Sequence, residues 1–212
     1  MAILNDGING GFTGKVGSVI GYRLHGKWVM KGLPKVSIKN KIGTEKQNLS
    51  RRKFTLMQKF LREVFGYIRI GFNLESKKRM MTAHNVAKSL NMLQAFKEDN
   101  TINFSKITLT YGNLAGAQSS RHFADDEGIH FTWDAGEPEN YERKCDQVML
   151  MAYSPEKACG FPIFSGARRR DGKETIEISE KYKGTIFHTW ISFISDDRMS
   201  ISMSTYIGEI EY

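Results

Sequence analysis

The sequence predicts a mixed α+β protein: an N-terminal β-ribbon and a basic helical hairpin, followed by a seven-stranded β-sandwich. Three observations carry this reading. Eight glycines punctuate short apolar–polar alternations in the first thirty-four residues. Apolar residues then recur at helical spacing between about residues 44 and 96. From residue 101 the period becomes two, with turn residues between short runs. The expected division is 1–100 for the ribbon with two basic helices and 101–212 for the sandwich.

Between Gly7, Gly10, Gly11, Gly14, Gly17, Gly21, Gly26 and Gly32 the chain alternates as a strand does. Val16, Ser18, Ile20 and Tyr22 are expected on one face. Leu24-His25-Gly26-Lys27 reads as a hairpin tip, with Gly26 supplying the positive φ of a tight turn. Glycine inside strands packs nothing, so its density calls for bulges or for another backbone lying close. Gly14-Lys15 also fits the end of a phosphate-binding loop, but Asn9 and Val16 stand where that motif needs glycine and a hydroxyl residue. A twisted ribbon remains, or an arm built on Gly14, Lys15, Val16, Tyr22 and Trp28 that packs on a neighbouring subunit.

Thr44-Glu45-Lys46-Gln47 reads as a capping box opening the first helix. Leu49, Leu56, Met57, Phe60, Leu61, Val64 and Ile68 form its apolar stripe, and Gly66 or Gly71 is expected to end or break it. A second helix is expected from about Ser76 to Phe96, with Met80, Met81, His84, Ala87, Leu90 and Leu93 facing inward. Arg51, Arg52, Lys59 and Arg62 lie opposite the first stripe, and Lys77, Lys78 and Arg79 lie outward on the second helix. Such a face is a solvated surface, a phosphate-tracking surface or a site for an acidic protein.

Seven strands are expected at about Asn103–Tyr111, Gly128–Trp133, Asp146–Tyr153, Ala158–Phe164, Glu174–Ser179, Thr185–Ile194 and Met199–Glu209. Turn signals such as Ser154-Pro155-Glu156 and Asp171-Gly172 separate them. Short strands with regular turns argue for two packed sheets. Phe131-Thr132-Trp133 followed by Pro138, and Tyr182 followed by Ile186, His188 and Trp190, resemble the second strand and the final hairpin of an immunoglobulin-like, fibronectin type III domain. Ser200, Ser202 and Ser204 are expected on a solvated face of the last strand.

The chain has 212 residues and a net charge of +8. Residues 1–100 hold nineteen Lys and Arg against six Asp and Glu, and residues 101–212 twelve against seventeen, so the halves carry +13 and −5. A basic front suits an anionic partner or the acidic half of another copy. No apolar run reaches the length of a membrane span, and no signal peptide is visible, so synthesis in the cytoplasm is expected, with no membrane partner. Cys145 and Cys159 have no metal-ligand spacing and read as reduced thiols.

Little in the sequence points to catalysis. The five histidines are scattered, and a zinc site would need His130, His188 and Cys145 to meet across strands. Asp125-Asp126-Glu127 and Asp196-Asp197 lack the glycine and spacing of a calcium loop. No nucleophile stands at a defensible separation from a base. No enzyme activity, cofactor, metal or small-molecule substrate is expected. Arg168-Arg169-Arg170 reads as a cationic hairpin tip suited to phosphate or carboxylate, or as a solvated loop.

The stretches NDGINGGFTGKVGSVIGYRLHGKWVMKGLP, TEKQNLSRRKF, LTYGNLAGA, FTW, YSPEK, DGKETIEI and STYIGEI resemble an uncharacterised domain-of-unknown-function family of bacterial proteins. The resemblance covers nearly the whole chain and implies no activity, cofactor or catalytic residue. The first third also resembles small virion-associated proteins of phages, in which a Gly-Lys-x-Gly ribbon precedes an Arg-rich helix. The expectation is a non-enzymatic, self-associating structural protein, a virion-like or filament-type subunit that leaves the cell in a particle. The alternative is a non-specific nucleic-acid-binding protein using the basic helices.

Overall fold

The computed structural model describes residues 2–4, 10–33, 42–135 and 145–212. These cluster into two compact units, Met1–Asn48 and Leu49–Tyr212.

In the first unit, β2 (Phe12–Val16), β3 (Val19–Leu24) and β4 (Lys27–Gly32) form an antiparallel meander, and the short β1 (Ala2–Leu4) lies along β2. The β3–β4 turn is the expected one: Leu24 pairs with Lys27, and His25 and Gly26 both have positive φ, 48° and 79°. This is the type I′ geometry that matches strand twist. The expected single face Val16–Ser18–Ile20–Tyr22 does not form, because the chain reverses at Gly17-Ser18 and Val16 pairs with Val19. Gly17 at φ 53° makes that reversal possible. The glycine density has a packing cause too: a Cβ on Gly11 would fall 1.8 Å from the Trp28 ring.

The capping box forms as read. Thr44 N–H donates to Gln47 Oε1 at 3.0 Å, and Gln47 N–H donates to Thr44 Oγ1 at 3.3 Å. Helix α1 (Glu45–Glu63) gives way at Val64 to α2 (Phe65–Gly71), which is followed by α3 (Asn73–Arg79) and α4 (Ala83–Gln94). The expected second helix is therefore two. Met80 adopts a left-handed conformation at φ 53°, and Thr82 caps α4 by accepting from Asn85 N–H. This break turns Met80 and Met81 outward, and Leu93 is 86% exposed, so these three do not face the core as expected. In α1, Met57, Phe60 and Leu61 are buried, as is Val64 just after it, whereas Leu49 and Leu56 sit at the margin of the stripe and remain exposed.

Two antiparallel sheets follow. One has the order β5-β6-β9, from Gln118–Ala124, Gly128–Asp134 and Lys173–Glu177. The other is β11-β10-β7-β8, from Thr205–Glu211, Ile186–Ile194, Gln147–Ser154 and Cys159–Ile163. Strands β7 and β10 are buried on both faces. Val148, Leu150, Ala152, Phe187, Ile191 and Phe193 meet Ile129, Phe131, Trp133 and Ile176 of the other sheet. The alternate residues Met149, Met151, Tyr153, Trp190 and Ile194 meet Met57, Leu61, Tyr67 and Ile68 of the helices. The layers are helices, central sheet and outer sheet. Tyr67 pins the helices down: its buried hydroxyl donates to Met149 O at 3.0 Å and lies 2.9 Å from Ser192 Oγ.

Two strand expectations change. The predicted strand at Asn103–Tyr111 is a 3-10 turn at Phe104–Lys106 and then a buried, non-ladder segment. Its backbone is satisfied by side chains instead. The fully buried Asn91 amide donates to Thr108 O and accepts from Thr108 N–H, both at 2.8 Å, standing in for a neighbouring strand. The last strand starts at Thr205, and the serine face is not solvated. Ser202 is buried and accepts from Phe193 N–H, while Ser204 Oγ accepts from Leu109 N–H, each at 2.8 Å.

Candidate functional site

Three groups of residues stand out from the sequence, and the structure treats them differently. In the ribbon, cross-strand pairs share a face. One face carries Lys15, Ile20, Tyr22, Leu24, Lys27, Val29 and Lys31; the other carries Phe12, Val16, Val19, Arg23, Trp28 and Met30 with Gly14 paired to Gly21. The meander thus carries three lysines among four apolar or aromatic side chains on one side and a mainly apolar set on the other. Val16 is 51% and Met30 67% exposed. Trp28 is also exposed, with the Arg23 guanidinium 5.7 Å from its ring centre. Of the five arm residues, Gly14, Val16 and Trp28 share the apolar face, and Lys15 and Tyr22 share the other.

On α1, Arg51, Arg52, Lys59 and Arg62 are all exposed. At 3.6 residues per turn they fall within an arc of about 100°, centred opposite the buried stripe. Lys77, Lys78 and Arg79 are exposed in the last turn of α3, where a cation favours the helix dipole. Arg79 is partly neutralised, with Nε 2.5 Å from Glu75 Oε1.

The three consecutive arginines do not form a cationic projection. Arg169 is only 7% exposed. Its Nη2 lies 3.2 Å from Asp146 Oδ2 and donates to Ala115 O at 2.7 Å, and its Nη1 donates to Gly116 O at 3.2 Å. The guanidinium carbon sits 3.7 Å from the Phe193 ring centre. Arg168 N–H is bonded to Asp171, and only Arg170 is exposed. A run of like charges in sequence hides this, because a 3-10 turn at Arg169–Asp171 sends neighbouring side chains in different directions.

A further feature was not legible as a site. Gln58, Arg62, Phe65, Arg69, Asn73 and Ser76 recur at intervals of three and four along α1–α3 and form one wall of a cleft of about 550 Å³. The first turn of α4, with Thr82 and His84, forms the other wall. Helical hydrogen bonds reach the break residues from both sides, Val64 N–H donating to Phe60 O and Ile68 N–H to Val64 O, then Phe72 N–H to Ile68 O and Ser76 N–H to Phe72 O, and keep these residues on one line. His84 Nε2 lies 3.2 Å from Gln58 Oε1, and its Nδ1 is buried without a partner among the described residues. Burial, with the nearby Lys88 charge, lowers the His84 pKa. The spacing of that mixed stripe was the available signal.

The histidines do not converge. His130 Nε2 lies 2.7 Å from Asp125 Oδ2 and its Nδ1 2.8 Å from Thr175 Oγ1, whereas His188 stacks on Phe104. Among the described residues no three His, Cys, Asp or Glu side chains gather to hold a metal ion. Both cysteines are free thiols. No helix among the described residues is long and apolar enough to cross a membrane, which says nothing of a β-barrel.

No curated protein matches the chain significantly. The profile of a family of unknown function, DUF6266, matches residues 11–208, from the ribbon into the last strand. The expected resemblance to a domain-of-unknown-function family is thereby met, and the chain belongs to DUF6266.

Proposed function

We propose that the protein is a non-enzymatic structural subunit that assembles with further copies of itself through its N-terminal ribbon, as a virion-like or filament-type building block. The observation that supports this most is the apolar ribbon face around Gly14 and Gly21, where Val16 and Met30 stand more than half exposed. An antiparallel sheet gains stability when one face is covered, and the described residues of this unit supply no second layer. Exposed apolar surface of this kind marks an interaction site. The split of +13 against −5 between the halves also favours contacts between copies.

The strand order supports an immunoglobulin-like sandwich as the part presented by the assembly. Its first, second and fifth strands pair in one sheet and its third, sixth and seventh in the other. The fourth strand pairs with the third rather than the fifth, which supports the fibronectin type III form of that sandwich. Adhesion or scaffolding follows from that only by analogy.

The alternative is non-specific nucleic-acid binding through Arg51, Arg52, Lys59 and Arg62, favoured by their common face on α1. Size-exclusion chromatography with light scattering, with and without nuclease, separates the two. A nucleic-acid-free oligomer that survives high salt supports the structural reading. A particle that dissolves with nuclease, and whose affinity falls steeply with salt and on Arg51→Glu with Arg52→Glu, supports the alternative.

A further inference from the structure

We propose that the cleft between the α1–α3 wall and the first turn of α4 binds a small phosphorylated aromatic ligand of mononucleotide size. This is independent of self-association. The cleft volume of about 550 Å³ lies within the range of small-ligand sites. Two of its side chains are arginines, no acidic residue lines it, and neither Arg62 nor Arg69 makes an ion pair among the described residues. Seven residues apart on one helical line, they stand about 10 Å from each other at the backbone, within reach of one phosphate for side chains of that length. Guanidinium forks pair with phosphate oxygens in a bidentate manner, so two of them suit a dianion.

The remaining lining selects what the phosphate is attached to. Phe65 is 49% exposed, and its ring centre lies 6.1 Å from that of His84 at an angle of 53°. An exposed phenyl ring beside an imidazole offers a flat ligand ring a stacking surface. Gln58 and Asn73 add amide groups able to donate to and accept from ring-edge atoms. The buried His84 Nδ1 has no hydrogen-bond partner among the described residues. A bare phosphate would engage the arginines alone and leave the aromatic half of the cleft open.

The test uses the full chain, with calorimetry and histidine-selective NMR on three probes: adenosine monophosphate, adenosine and inorganic phosphate. The expected result is saturable one-to-one binding of adenosine monophosphate, tighter than either fragment, with a shift of the His84 ring nitrogens. Arg62→Ala with Arg69→Ala, both exposed positions, should weaken that binding at least tenfold, or about 1.4 kcal/mol. Phe65→Ala should weaken adenosine monophosphate while leaving inorganic phosphate unchanged. An unshifted His84, equal affinity in the double arginine variant, or preference for single-stranded oligoadenylate over the mononucleotide would each overturn the proposal.

Discussion

Replacing Arg169 with alanine is the severest single test of how this fold is held. The side chain is enclosed between the Asp146 carboxylate, the carbonyls of Ala115 and Gly116 and the face of Phe193, and its own carbonyl accepts from Trp133 Nε1–H at 2.8 Å. Truncation removes the guanidinium and leaves a carboxylate that is 3% exposed without that partner. Breaking a buried pair from one side costs about 3–5 kcal/mol, because the remaining charge stays desolvated. The two carbonyls and the lost ring contact place the expected value in the upper half of that range. The exposed neighbour provides the control: Arg170→Ala should change stability by no more than about 0.5 kcal/mol. Urea denaturation of the three proteins, followed by tryptophan fluorescence, gives both numbers. A loss below about 1 kcal/mol for Arg169→Ala, or equal losses at the two positions, would show that the arginine is not the buried tie described here.

Three further outcomes follow from the packing. Asn91→Leu should cost about 2–4 kcal/mol, since both Thr108 backbone groups lose their partner in a dry site, and hydrogen exchange at Thr108 should accelerate. Gly71→Ala should cost about 1–3 kcal/mol in a thermal melt, because its Cβ would meet Leu109 O at 2.5 Å. Acidification supplies the third. Burial lowers the pKa of His84, His122 and His188 below the ordinary 6.5, so the unfolded chain binds more protons. Stability should therefore rise with pH through this window and fall as pH drops below about 6.5, well above the carboxylate range. Urea midpoints at successive pH values check the sign, and a midpoint that stays flat between neutrality and pH 5 would refute it.

Much of the architecture was legible because it rests on local chemistry. The Thr44–Gln47 box, the His25-Gly26 turn and six of the seven strand positions follow from residue types whose preferences act within a few positions. What was hidden depends on partners far away in sequence. The run at 103–111 has strand composition, yet its ladder partner is the amide of Asn91 on a helix. Conversely Gln118–Ala124, outside the seven expected strands, pairs along β6. Helical periodicity gave the stripe Met57–Ile68 but not its destination, the face of β7 and β10 carrying Met149, Met151 and Trp190. Burial of both faces of those strands was the missing clue, and their continuous apolar runs carry it. Among the candidate residues, the α1 arginines kept one face, whereas charge alone could not separate buried Arg169 from exposed Arg170.

On the proposed function, the apolar ribbon face is covered by another copy of the chain. Light scattering on the 212-residue chain and on its Val16→Lys with Met30→Lys variant tests this, both positions being exposed and belonging to the Met1–Asn48 unit. The expected result is an oligomer for the native chain and a folded monomer for the variant, with an unchanged thermal transition for the Leu49–Tyr212 unit. A native chain that stays monomeric at its highest soluble concentration, or a variant that assembles as the native chain does, would contradict it.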